Sequence, residues 1–107
     1  MRVVVTGVLD PATAPALEHA LHHAHHHGRL TVLDLRGVSF CDSTGLHLIL
    51  RANQHARDEG RRLVIVRGPE QVQRLFALTG VEQQLEIVED PSMATAESSE
   101  PKLVAHR

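Results

Sequence analysis

The chain has 107 residues, 42% of them hydrophobic and 22% charged, and a formal net charge of −2 at pH 7. That is one domain's length of ordinary globular composition, which excludes a multidomain protein and a wholly disordered one. The charge balance, the lack of Trp and Tyr and the presence of only two Phe (Phe40 and Phe76) exclude a nucleic-acid partner as the working expectation, since such partners need a basic face and aromatic stacking platforms.

The elements follow in chain order. Arg2 to Val5 is a β-branched run that reads as a buried strand, cut off by a turn at Thr6-Gly7. A helix comes next. Asp10 is its N-cap with Pro11 at the first helical position, or Thr13 is, because Pro15 is costly beyond the first turn. It should run to about His27, with Ala14, Leu17, Leu21 and Ala24 as its apolar stripe and Gly28 at the C-terminal cap. Leu30 to Leu35 is a second strand, with Asp34 at a strand edge or near the carboxyl end where sites collect, and Arg36 to Cys41 reads as a connecting loop. Asp42 then caps a second helix whose Leu46, Ile49, Leu50 and Ala56 face inward and which Gly60 closes. Arg62 to Arg67 is a third strand ended by Gly68-Pro69. Glu70 to Thr79 is a third helix burying Val72, Leu75, Phe76 and Leu78 and capped by Gly80, and Leu85 to Val88 is a last short strand.

This alternation predicts an α/β single domain over residues 1–90, with a mostly parallel sheet of about four strands joined by right-handed crossovers and helices packed on it. From Pro91 the chain is rich in Ser, Ala, Glu and Pro without apolar period, so residues 91–107 are expected to be a disordered tail. Cys41 cannot form an internal disulfide, the apolar stretch at the N-terminus is too short for a signal peptide, and no run approaches the roughly 18 apolar residues of a membrane span. A cytoplasmic protein with no membrane attachment is the expectation.

The most informative segment is Asp42-Ser43-Thr44-Gly45. An Asp cap puts Ser43 in the first turn of a helix, where unpaired N–H groups and the positive dipole end favour an anion. A phosphate there would add roughly −1.5 to −2 charge beside Asp42 and oppose any partner docked on the turn. The plainer reading is an ordinary N-cap with Thr44 as a helix-start residue. Asp10 is a second candidate, whose plainer reading is the cap of the first helix. His47, one turn after Ser43, is the only local candidate base, but Ser43 lacks the G-x-S-x-G elbow of serine hydrolases. Glycines occur singly, so no phosphate-cradling loop, nucleotide cofactor or ATP hydrolysis is implied.

His19, His22, His23, His25, His26 and His27 form a tract with several i, i+4 pairs able to share an ion. A solvated helix face that binds nickel or zinc adventitiously is the reading preferred here, with no functional metal. Cys41 reads as a small buried apolar residue.

Three blocks in register resemble the STAS domains, and among them the bacterial anti-sigma factor antagonists: Thr6-Gly7-Val8-Leu9-Asp10, Val32 to Leu46 (VLDLRGVSFCDSTGL) and Arg74 to Gly80 (RLFALTG). The resemblance covers roughly residues 1–90. It implies that Ser43 is phosphorylated by a partner anti-sigma factor, a serine kinase, and that the unphosphorylated form binds this kinase and releases its sigma factor. A metal-dependent serine phosphatase would reset the cycle, and Asp10, Asp42, Thr44, Gly45 and His47 would share the partner contact with Ser43. The protein would then be a ligand and substrate rather than an enzyme. The alternative within the same resemblance is an accessory STAS subunit of a transporter, without a phosphorylation cycle. Three departures stand out. The usual first strand is lacking, which implies either an open sheet edge inviting a homodimer or a start placed too late. Val8 replaces a frequent Glu, and His47 replaces a small residue.

Overall fold

The β-branched runs at Arg2, Leu30 and Arg62 lie side by side, as parallel crossovers require, and the helices between them pack on one face of the sheet. The computed structural model describes residues 1–94 and the backbone of Lys102–Val104. In chain order the elements are β1 (Arg2–Leu9), α1 (Ala14–His25), β2 (Leu30–Cys41), α2 (Ser43–Asp58), β3 (Arg62–Val66), α3 (Glu70–Thr79), a 3-10 turn (Val81–Gln84), β4 (Glu86–Val88), a second 3-10 turn (Pro91–Ala94) and β5 (Lys102–Val104). The sheet order is β4-β3-β2-β1-β5, and every pairing is parallel. The α/β class and the parallel sheet of the sequence reading are both found.

The core on the helical face joins Val3, Val5, Leu33, Leu35 and Ile65 of the sheet to Leu17, Leu21, Ile49, Val72 and Phe76 of the three helices. On the opposite face Val32, Val64 and Val66 are fully buried against Ala94 of the second 3-10 turn. Burial of the Val, Leu and Ile side chains, each stabilising by about 1.5–3 kcal/mol, is what a chain with Phe76 as its one buried phenyl ring has to rely on.

Several expectations are corrected. Arg36–Cys41 is no loop: it prolongs β2, pairing Thr6 with Gly37, Gly7 with Val38, Val8 with Phe40 and Leu9 with Cys41. Thr6-Gly7 likewise does not end β1. Register shifts flank it, and Gly7, with φ 82°, takes a backbone conformation that a side chain would strain, so the glycine marks an irregularity within a strand rather than its end. Leu78 is 80% exposed, because at about 100° per residue it falls off the Val72–Phe76 face of α3. The edge beside β1 is not open along Val3–Val5, since Lys102–Val104 pairs there, and the homodimer expected from that open edge loses its basis.

Part of the expected tail therefore has structure: Pro91–Ala94 forms a turn with Ala94 buried, and Lys102–Val104 is a strand. The rest, residues 95–101 and 105–107, lies outside the described residues.

Asp34 is neither at an edge nor near a strand end. It sits within β2, 2% exposed, and its carboxylate accepts from Arg36 Nη2 at 2.7 Å, Arg36 Nε at 3.0 Å and the Arg36 N–H at 3.1 Å. Burial works to raise its pKa, but these hydrogen bonds from Arg36 prevail and hold the carboxyl below its usual range. Its role is structural.

Candidate functional site

Parallel strands end together, and the register that pairs Leu9 with Cys41 places the next residues, Asp10 and Asp42, side by side at the carboxyl edge of the sheet. The Asp42 N–H donates to the Leu9 carbonyl at 3.2 Å and ties the two strand ends together. Asp42 is extended (φ −103°, ψ −174°) and is the N-cap of α2. Its Oδ1 accepts from the Thr44 N–H at 2.9 Å and from the Gly45 N–H at 3.2 Å. Two of the helix's orphan donors are thus satisfied by Asp42 itself, and an anion on Ser43 would compete with that carboxylate for them.

Ser43, the first residue of α2, is exposed, and so is His47 one turn on, while Thr44 is half-buried. Gly45 is buried, and a Cβ there would meet Leu9 Cγ at 2.6 Å and Cys41 Sγ at 3.0 Å. The helix start can sit this close to β1 only because residue 45 lacks a side chain. That fixes the height at which Ser43 stands above the sheet.

Asp10 does not cap α1. The N-cap is Thr13, the second of the two alternatives, and it makes no side-chain capping bond. Asp10 instead closes the preceding turn: its Oδ1 accepts from the Ala12 N–H at 3.0 Å and the Thr13 N–H at 3.2 Å, while the Thr13 hydroxyl donates to the Val8 carbonyl at 2.8 Å. Cys41 is half-buried, and burial, followed by the charge of Asp42, pushes its thiol up to about 12. At neutral pH it is a protonated, unreactive thiol.

The sequence reading missed Phe40. It is 53% exposed on the strand end that leads into Asp42, and its signal in the sequence is the apolar side chain between Ser39 and Cys41, which a loop reading of that segment hides. An exposed aromatic ring beside the helix start is a natural docking anchor.

The expectation of a wholly solvated histidine face is corrected at one position. His19, His22, His23, His26 and His27 are exposed, but His25 is buried. Burial and, after it, the neighbouring His55 lower its pKa from the ordinary value of 6.5.

A parallel α/β sheet with three helices on one face and a capped Asp-Ser helix start at its carboxyl edge defines a STAS domain. The family model described as "Mlab, STAS domain" matches residues 1–89, and the chain belongs to that family. No curated protein matches it by sequence. Among solved structures it is similar to an anti-sigma factor antagonist from Mycobacterium paratuberculosis, at 27% identity and a TM-score of 0.75 over 86% of this chain and 82% of that one. It shares its fold with the anti-sigma factor antagonist SpoIIAA in its unphosphorylated form (14% identity, TM-score 0.67, 88% of this chain and 83% of that one). It also shares it with the STAS domain of a SulP transporter from Vibrio cholerae (18%, 0.66, 87% and 76%). No helix among the described residues is long and apolar enough to cross a membrane.

Proposed function

We propose that this protein is an anti-sigma factor antagonist switched by phosphorylation of Ser43. In the unphosphorylated state it binds an anti-sigma factor serine kinase and releases the sigma factor. Phosphorylation breaks that complex, and a metal-dependent serine phosphatase restores it. The observation that carries this reading is the exposed Ser43 hydroxyl at the first position of α2, beside a capping carboxylate whose two acceptor bonds are already made. The similarity to the Mycobacterium paratuberculosis antagonist supports the general role.

The mechanism is one of charge and fit. A phosphate on Ser43 cannot take the Thr44 and Gly45 N–H groups without displacing Asp42, so its charge of roughly −1.5 to −2 is presented outward. A partner seated on Ser43, Thr44, His47 and Phe40, with Asp10 and Asp42 at the rim, would meet a carboxylate in one state and a carboxylate plus a phosphate in the other. Gly45 lies beneath and sets the helix start without touching the partner. No reacting group of this chain is needed, so the protein acts as ligand and substrate and not as an enzyme.

The second reading, an accessory domain of a transporter, is favoured by the Vibrio cholerae transporter domain sharing the fold. One experiment separates the two. Wild type, Ser43→Ala and Ser43→Asp are used as baits in lysate of the native host, and bound proteins are identified by mass spectrometry. An ATP-binding serine kinase held by the Ala form and lost by the Asp form is the expected result. Transporter subunits recovered equally by all three baits would overturn the phosphorylation reading.

A further inference from the structure

The end of α2 remote from Ser43 gathers a second group of side chains, about 18 Å further along the helix at 1.5 Å per residue. His55 and Glu59 are one turn apart on α2 and its C-cap, and both are exposed. His25, the last residue of α1, is only 7% exposed, and its ring centroid lies 4.4 Å from that of His55. One ligand atom from each of His25, His55 and Glu59 lies within 4.8 Å of the other two.

Two further observations point to a ligand. His25 Nε2 is buried with no hydrogen-bond partner, an unsatisfied state that folded proteins ordinarily avoid because it costs about 1–3 kcal/mol. His25 and His55 also line one cleft of about 200 Å³, shared with Glu18, His22 and Arg51, which is ample room for an ion with a water molecule. Arg61, on the turn after α2, donates through Nη1 to the Gly28 carbonyl at 2.6 Å, and its positive charge reaches His25, helping to lower that imidazole's pKa.

We propose that His25, His55 and Glu59 bind a divalent transition-metal ion, zinc by preference, clamping the C-terminal ends of α1 and α2. Two borderline imidazoles with one carboxylate form a ligand set that zinc takes, and water completes a four-coordinate site. Bonds of about 2.0–2.1 Å hold ligand atoms about 3.3 Å apart, so from separations within 4.8 Å the two exposed side chains close in by at most about 1.5 Å while packing keeps His25 in place. A buried imidazole held against a second helix is pre-organised, which the exposed tract is not: there the His23 and His27 rings stack at 4.1 Å and the His22 and His26 rings meet edge-on at 4.5 Å, and neither pair gains a third ligand among the described residues. The proposal is independent of any role for Ser43.

The test uses the untagged full chain, stripped with a chelator and titrated with Zn²⁺ in competition with a chromogenic indicator. Wild type is compared with His55→Ala, with Glu59→Gln and with the triple variant His19→Ala/His23→Ala/His27→Ala. All substituted residues are exposed, and circular dichroism checks the fold of each variant. One ion per chain is expected in the wild type and the triple variant with equal affinity within twofold, weakened tenfold or more in His55→Ala and Glu59→Gln. Binding kept at wild-type affinity by His55→Ala and Glu59→Gln would assign the ion to the tract, whose His22 and His26 the triple variant retains, and overturn the proposal. So would the absence of a stoichiometric ion in the wild type.

Discussion

At its N-terminus α2 begins on Asp42, whose carboxylate takes the Thr44 and Gly45 N–H groups, and leaves the Ser43 hydroxyl exposed at the carboxyl edge of the sheet. At its C-terminus the same helix sets exposed His55 and Glu59 against His25, whose buried Nε2 has no partner. At the first end the Thr44 and Gly45 donors are already paired with Asp42, so a change of charge on Ser43 would be read by what docks there. The second is incomplete, so it gains by receiving something. One helix thus carries an exposed hydroxyl beside paired donors at one end and faces a buried, unpartnered imidazole nitrogen at the other. The difference between them is hydrogen-bond satisfaction rather than residue type.

The sharpest way to break this comparison is to lift the first end off the sheet. Gly45→Val puts side-chain atoms where Leu9 already stands, and we expect a loss of about 3 kcal/mol in urea unfolding, at the upper end of overpacking costs, together with loss of partner binding. Retention of wild-type stability would show that α2 does not need this close approach.

The frame between the two ends comes next. Asp34→Asn removes the charged partner of Arg36 within β2 and should cost about 2 kcal/mol at pH 7. Because the folded pKa of Asp34 is lowered from 3.8, the unfolded chain binds the proton more readily. The wild-type advantage is therefore present above that value and lost as pH falls through the folded pKa. Unfolding curves of the two proteins should converge in acid, and a gap independent of pH would refute the ion pair as its cause.

A smaller effect is expected from Asp42→Ala, which frees the Thr44 and Gly45 N–H groups and should cost about 1 kcal/mol. That variant would also give a phosphate or sulfate ion open donors at the helix start. An unchanged melting temperature would mean that the cap contributes nothing and that the first end is no more satisfied than the second. Smallest in stability is Ser43→Asp, expected within about 0.5 kcal/mol of wild type because the residue is exposed, while its partner binding falls. If stability falls with binding, the loss is one of folding, and the charge argument fails.

Much of this was legible in the chain. The β-branched runs, the Asp42 cap and the inward stripe of α2 specify the βα alternation, because short-range hydrogen bonding and period alone determine them. Asp42-Ser43-Thr44-Gly45 could be picked out as a helix start for the same reason. The ends of β1 and β2 could not. Thr6-Gly7 and Arg36–Cys41 look like turn and loop by composition, and only their pairing with each other makes them strand. Leu78 reads as buried by composition but is exposed, because the apolar residues of α3 outnumber the positions on its buried face.

Local residue patterns by themselves determined the class of fold, the position of Ser43 on a capped helix and its charge environment, since these depend on neighbours within about one turn of chain. The tertiary structure alone decided that Leu9 packs on Gly45, that Lys102–Val104 pairs with β1, and that His25 meets His55 across 30 residues of sequence. A tract of histidines reads as uniform along the chain. Which one is buried, and what it faces, depends on how two helices cross, and that follows only from the packing of the whole core.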